Sequence, residues 1–249
     1  MQTVSRALNI LRLLASEPHG LSLSEISRRL KVAPASTHRI VSVLEKELYV
    51  TRSHVTRRIY LGPTAKTLTE SYRPLHADKL VTPHASIRRA NDACGETVFL
   101  SERVQNRVIC LAIVESRFDT KPDIRIGQEL SINETGAEAI LAWCDEQIVR
   151  SFASAEFSSE TQPMTDFLRR LDDVRRRGYA VGPLAAHAPW SVSAPIVRST
   201  GTVVASVTIT APYARMSDTK GRECVTESVL TAATEIGSAL GWTEEYPNP

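Results

Sequence analysis

The residues best suited to chemistry in this chain lie between positions 34 and 58, and the chemistry is that of nucleic acid contact. Pro34, Ala35, Ser36, Thr37, Arg39 and Ser42 stand within one short helical stretch, PASTHRIVSVLEK. Serine and threonine hydroxyls suit phosphates or base edges, and an arginine can bind guanine through two parallel bonds. Arg52, Arg57 and Arg58 follow on a polar, β-prone segment, where they can lie along a backbone or a minor groove. Plainer readings compete at each point. Thr37 falls on the apolar side of its helix and is kept only as a phosphate candidate. Arg39 can pair with Glu25 or Glu45, and the three later arginines can be a solvated hairpin.

Catalytic chemistry has little to build on. The chain lacks Gly-x-Ser-x-Gly, a Walker loop, His-Glu-x-x-His and Gly-x-Gly-x-x-Gly. Cys94, Cys110, Cys144 and Cys224 are far apart, with no Cys-x-x-Cys pair. They read as reduced, packed thiols, and no metal site, cofactor or catalytic residue is expected. His187 with Cys110 or Cys144 makes an imaginable nucleophile pair that no local pattern orders.

The elements that must carry the polar residues are legible from periodicity. Val4, Ala7, Leu8, Leu11 and Leu14 predict one buried face on a helix over about 5–16. Pro18-His19-Gly20 ends it. Ser22 and Glu25 form a capping-box pattern that opens a second helix, on which Ile26 and Leu30 face the core. After a turn at 31–33, Pro34 sits where a third helix tolerates it. Thr37, Ile40, Val41, Leu44 and Leu48 share its apolar face; Ala35, Ser36, Arg39, Ser42 and Lys46 share the opposite one. Two β-prone runs, 49–51 and 58–61, joined by RSHVTR, predict a wing. Three helices followed by a wing read as a winged helix-turn-helix, which places its third helix in the major groove of DNA.

Residues 1–63 therefore form one domain and 64–76 a linker helix starting at Pro63 and interrupted at Pro74. Residues 77–249 form a larger domain, whose first helical pattern runs from Lys79 to Cys94. In it, Thr97–Val104 and Arg107–Glu115 read as strands around a Gln105-Asn106 turn. Asp123–Ile132 reads as a strand pair around Gly127. Glu134–Trp143, Asp145–Ala153 and Met164–Arg177 read as helices, Val192–Val197 and Val203–Thr210 as strands, and 217–240 as a terminal helix. The expected class is α+β, with helices on a mostly antiparallel sheet.

Charge separates the two parts. Residues 1–62 hold ten Lys/Arg and four acids, a net +6; the rest holds twenty and twenty-four, a net −4. A basic head on an acidic body suits a phosphate-binding domain fused to one that does not bind phosphate. No apolar run of about 18 residues predicts a membrane span. Arg6 and Arg12 interrupt what would be a signal peptide, so a cytoplasmic protein is expected.

With these elements in place, the chain resembles the IclR family of bacterial transcriptional regulators over nearly its full length. The resemblance rests on SRALNILRLLA, LSLSEISRRLKVAPASTHRIVSVLEKE and YLGP in the first domain. In the second it rests on GETVFLSE, RRRGYAV, SAPIVRSTGTVVASVTITAP and a last helix ending in SALG. It implies a homodimer or homotetramer on a palindromic double-stranded operator, with a GAF-like second domain that senses a small molecule. Two stretches depart from the family pattern. A Thr-Ala-x-Gly-Lys-Ala-type turn is replaced by Glu134-Thr135-Gly136-Ala137-Glu138-Ala139, and the run after RRRGYAV, Gly182 to Trp190, has no acid. The resemblance places Thr135, Gly136, Ala137, Leu184, Trp190, Ser191, Thr208 and Thr210 in the effector pocket, with the Ser191, Thr208 and Thr210 hydroxyls on its floor and Trp190 as a stacking surface. The implied effector is an aromatic or otherwise bulky organic acid, amide or phenol rather than a two-carbon carboxylate. The implied function is a ligand-responsive regulator, a repressor of a catabolic or metabolic operon. The alternative is an architectural winged-helix protein without effector, which has no evident use for about 170 further residues.

Overall fold

A computed structural model describes residues 2–71, 83–156, 161–182, 189–216 and 219–242. Its contacts cluster into two compact units, Met1–Arg73 and Pro74–Pro249.

The first unit contains α1 (Gln2–Ala15), α2 (Leu23–Leu30), α3 (Pro34–Lys46), a hairpin of β1 (Val50–Arg52) and β2 (Ile59–Leu61), and α4 (Pro63–Ser71). The capping box forms at α2. Ser22 N–H donates to Glu25 Oε2 at 2.8 Å, and Glu25 N–H donates back to Ser22 Oγ at 3.3 Å. The Ser22 N–H bond, together with one from Ser22 Oγ to Glu25 Oε2 at 2.8 Å, holds the Glu25 carboxyl below its usual range. Pro34 opens α3, where a missing N–H costs nothing. Leu21 exchanges backbone hydrogen bonds with Ile59 at 3.0 and 2.7 Å, which ties the wing to the turn before α2. Gly62 closes the wing because only glycine fits; a Cβ there would lie 2.2 Å from the Leu48 carbonyl oxygen.

Ile10, Leu14, Ile26, Ile40, Val41, Leu44, Val50 and Ile59 make this unit's core. Two expectations change. Val4 and Leu8 are 66% and 51% exposed, while Ile10 and Leu14 are buried. The apolar arc of α1 is too wide for one partner, so its Ile10–Leu14 edge enters the core and its Val4–Leu8 edge faces outward. Leu48 is likewise exposed, because α3 has ended and Leu48 turns the chain at φ +59°.

The second unit is built on a six-stranded antiparallel sheet. Its order is β5 (Glu129–Leu130), β4 (Arg107–Val114), β3 (Thr97–Val104), β8 (Val203–Ala211), β7 (Trp190–Val197) and β6 (Ala180–Gly182). One face packs against α5 (Pro83–Cys94) and α9 (Thr219–Ala239). The other packs against α6 (Thr135–Leu141), with α7 (Glu146–Glu156) and α8 (Thr161–Arg177) beside it. Strand alternation divides the residues cleanly. Trp190, Val192, Ala194 and Ile196 of β7 join the apolar cluster under α9. Ser191 and Ser193 face the α6 side through their bonds to Thr210, Thr208 and Thr135.

The expected strand pair over 123–132 is a single two-residue strand. Gly127, at φ +80°, and Gln128 are instead held as a loop on Cys110 by backbone bonds of 2.7 and 2.9 Å. β6 and a short 3-10 helix, Tyr213–Met216, were not anticipated. The expected helix start at Lys79 lies outside the described residues. No helix among them is long and apolar enough to cross a membrane.

Candidate DNA-contact face and candidate ligand cavity

On the first unit, α3 presents Pro34, Ala35, Arg39 and Ser42 as exposed residues, with Ser36 half-buried. Thr37 does not belong to that face. It is fully buried and its hydroxyl donates to the Ala33 carbonyl at 3.3 Å, so its side chain is closed to phosphate. Arg39 makes no ion pair among the described residues, because both of its expected partners are engaged. Glu25 pairs with Arg58 at 3.2 Å and Glu45 with Arg52 at 3.5 Å.

The three wing arginines differ. Arg57 is exposed at φ +60° near the hairpin tip. Arg52 is half-buried beside Glu45. Arg58 turns inward. Its Nε donates to the His19 and Gly20 carbonyls at 3.0 and 3.1 Å, and Nη2 donates to Gly20 at 2.9 Å. Nε and Nη2 are engaged inside the unit, which corrects its assignment as a free wing contact. Arg28, exposed in the last turn of α2, and Lys31, exposed just after it, count toward the basic charge of the first unit and carry no assigned role in the sequence.

The same unit carries an open apolar groove of about 770 Å³ bordered by α1, α3 and α4. Val4, Leu8, Val43 and Leu68 line it and are each at least half exposed. Arg39 stands at its edge.

The second unit holds a cavity of about 360 Å³ beneath the start of α6. Phe99, Ser191, Thr208 and Thr210 of the sheet form its floor; Thr135 and Gly136 of α6 cover them. The hydroxyls are interlinked. Ser191 Oγ donates to Thr210 Oγ1 at 2.9 Å, Ser193 Oγ donates to Thr135 Oγ1 at 2.7 Å, and Ser193 and Thr208 are 2.7 Å apart. Such close approach of helix to sheet needs a glycine at 136. A Cβ there would lie 2.9 Å from Leu130 Cδ1 and 3.0 Å from Thr208 Oγ1. The rim comes from Pro122, Asp123, Ile124, Gln128, Asn133 and Glu134 on one side, and Gly182 and Pro189 on the other.

Five of the expected pocket residues therefore come together: Thr135, Gly136, Ser191, Thr208 and Thr210. Two do not. Ala137 is fully buried in the apolar cluster with Ile140 and Phe167. Trp190 lies on the opposite face of the sheet, beside α9, and its indole N–H has no partner among the described residues. Leu184 lies outside the described residues. Phe99 is the aromatic surface of the cavity. Strand alternation from Thr97 in GETVFLSE is the signal that points to it.

Arg170 bridges two elements of the cavity wall, donating to Glu138 Oε1 and to Asn133 Oδ1, both at 2.6 Å. Burial pushes the Glu138 carboxyl up, against the pull of Arg170. Burial also pushes Cys110 up to about 12 and raises Cys144, so neither is a thiolate nucleophile near neutral pH; His187 lies outside the described residues.

A winged helix-turn-helix and a cavity-bearing α+β unit in one chain define a DNA-binding regulator of transcription. The IclR helix-turn-helix domain matches residues 3–54, and the C-terminal domain of bacterial IclR transcriptional regulators matches residues 80–238. The chain belongs to the IclR family. It is 27% identical to the HTH-type transcriptional regulator BhcR of Paracoccus denitrificans, over 96% of this chain and 88% of that protein. It is 24% identical to the HTH-type transcriptional repressor AllR of Escherichia coli K12, over 96% and 90%. Its fold matches that of an IclR homologue from Microbacterium hydrocarbonoxydans, solved in complex with 4-hydroxybenzoate. The TM-score is 0.75 at 19% identity, over 96% of this chain and 99% of that one.

Proposed function

We propose that this protein is a ligand-responsive repressor that binds a palindromic operator as an oligomer and releases it when a small molecule fills the cavity under α6. The observation that carries the reading is that cavity, whose interlinked hydroxyls and Phe99 suit a bound organic molecule better than packed protein. Ser36, Arg39 and Ser42, with Pro34 and Ala35 allowing close approach, are the proposed operator contacts of α3. Arg57 and Arg52 are the proposed wing contacts. The outward apolar edge of α1 and Leu68 of α4 support pairing of two heads, since a contiguous apolar surface of this kind marks an interface. Two paired heads meet half-sites about 10 bp apart, or a multiple of that. A ligand alters operator affinity only if it binds the two states of the protein unequally.

Fluorescence anisotropy with DNA from upstream of its own gene, repeated across a metabolite library, tests this. Specific, salt-sensitive binding that one compound relieves is the expected result. Binding to one asymmetric half-site by a monomer, or no response to any compound, refutes the corresponding part.

A further inference from the structure

We propose that Lys31 and Arg28 grip DNA backbone phosphates beside the groove that α3 enters. This rests on the reading of the first unit as the operator-binding head. It adds backbone contacts on α2 and the turn after it to those of the wing.

The acids of the head sort its cations. Glu17 pairs with Arg29, Glu25 with Arg58 and Glu45 with Arg52. Arg28 and Lys31 are exposed, and neither side chain has a hydrogen bond or ion pair among the described residues. Arg28 has a second reason to be basic, since it lies in the last turn of α2, where a cation meets the negative end of the helix dipole.

Lys31 has a backbone reason to be something else. It follows α2 in the left-handed conformation, at φ +51° and ψ +41°, where glycine is the usual residue and an L side chain is strained. The turn is pinned there. Lys31 N–H donates to the Arg28 carbonyl at 3.3 Å, Val32 N–H to the Ser27 carbonyl at 3.0 Å, and Ser27 Oγ to the Val32 carbonyl at 2.6 Å. The position thus holds a strained lysine whose ammonium makes no internal contact, which points to a partner outside the protein. Arg57 repeats the combination on the wing, exposed and left-handed at φ +60°.

Position selects the partner. Lys31 leads through Val32 and Ala33 into Pro34, the first residue of α3, next to the exposed Ala35 and Arg39. In a helix-turn-helix, the helix before the recognition helix crosses the DNA backbone. Cations at its end meet phosphates, which fix register and carry no base preference.

The test is fluorescence anisotropy of the full chain across a salt series, with DNA from upstream of its own gene and with a mixed-sequence duplex of equal length. Lys31→Gly, Lys31→Asn and Arg28→Gln are each expected to reduce the magnitude of the slope of log affinity against log salt by about 0.9, on both duplexes. Lys31→Arg is expected to keep the slope. Arg29→Gln removes the same charge from the same helix, but from a residue already paired with Glu17, and is expected to leave the slope within error. Lys31→Gly is also expected to melt at or above the wild-type temperature, because glycine relieves the left-handed strain. Weaker DNA binding by a protein that is no less stable separates contact from structure. Unchanged slopes in Lys31→Gly and Arg28→Gln overturn the proposal and leave the operator reading standing. An equal fall in Arg29→Gln assigns the effect to net charge and overturns it as well. Wild-type protein that binds neither duplex overturns both readings.

Discussion

Arg57 and Arg58 are neighbours in sequence with opposite expected roles, and mutating each alone exposes the difference. Arg58→Ala removes three donor contacts to the His19 and Gly20 carbonyls and an ion pair with Glu25. A hydrogen bond from a charged donor contributes roughly 1.5–3 kcal/mol when buried. The Arg58 side chain is 36% exposed, and water can replace it at both carbonyls, so the net loss is smaller, about 1–2 kcal/mol. That loss falls on the junction where Leu21 and Ile59 exchange backbone bonds. Amide exchange at Leu21 and Ile59 is expected to speed up about tenfold, since 1.4 kcal/mol is a factor of ten. The slope of log affinity against log salt should not change beyond what the loss of fold explains. Arg57→Ala is expected to do the reverse. It removes no internal side-chain contact among the described residues, so exchange stays within error. If Arg57 grips a phosphate, the salt slope falls by about 0.9. Full protection in Arg58→Ala together with a shallower salt slope would show that Arg58 leaves its carbonyls for DNA, and the assignment would be wrong.

Arg39→Ala is expected to weaken operator binding by roughly 1–3 kcal/mol and to relax base preference at one position, measured by competition with single-base variants. A change in oligomeric state with preference intact would instead assign Arg39 to the groove it borders. Leu8→Glu puts a charge on the outward edge of α1. Sedimentation velocity is expected to show dissociation of the paired heads or a smaller assembly, with circular dichroism unchanged; an unaltered assembly would remove that edge from the interface.

The first unit was legible because its signals are local. The capping box, Pro34 and the buried run Thr37, Ile40, Val41, Leu44 each follow from spacing alone. What escaped was settled by tertiary partners. Arg58 is indistinguishable from Arg57 in sequence; only the return of Gly20 beneath the wing provides carbonyls for one and not the other. On α1, periodicity marked a wide apolar arc but not which edge of it the core would take. The Thr37 assignment failed against a signal already present, since its helical position matched Ile40, Val41 and Leu44.

The cavity teaches a similar lesson about strands. Trp190 and Ser191 cannot both line one pocket from a single regular strand, because successive side chains point to opposite faces. Ser191 fits the hydroxyl set. It lies opposite Thr210, and Ser193 opposite Thr208, in the β7–β8 register. Trp190 then has to face α9. The aromatic residue of the cavity is found by continuing across β8, where Phe99 lies opposite Thr208 and Thr97 opposite Thr210. That step needs the pairing of β3 with β8, two strands about a hundred residues apart. The charge of the cavity is equally non-local. Asp123 and Glu134 reach the rim, and Arg170 ties Asn133 to Glu138, only because a loop, a helix start and α8 meet over the same floor. The floor hydroxyls by themselves, which suit acids and amides alike, name no ligand class.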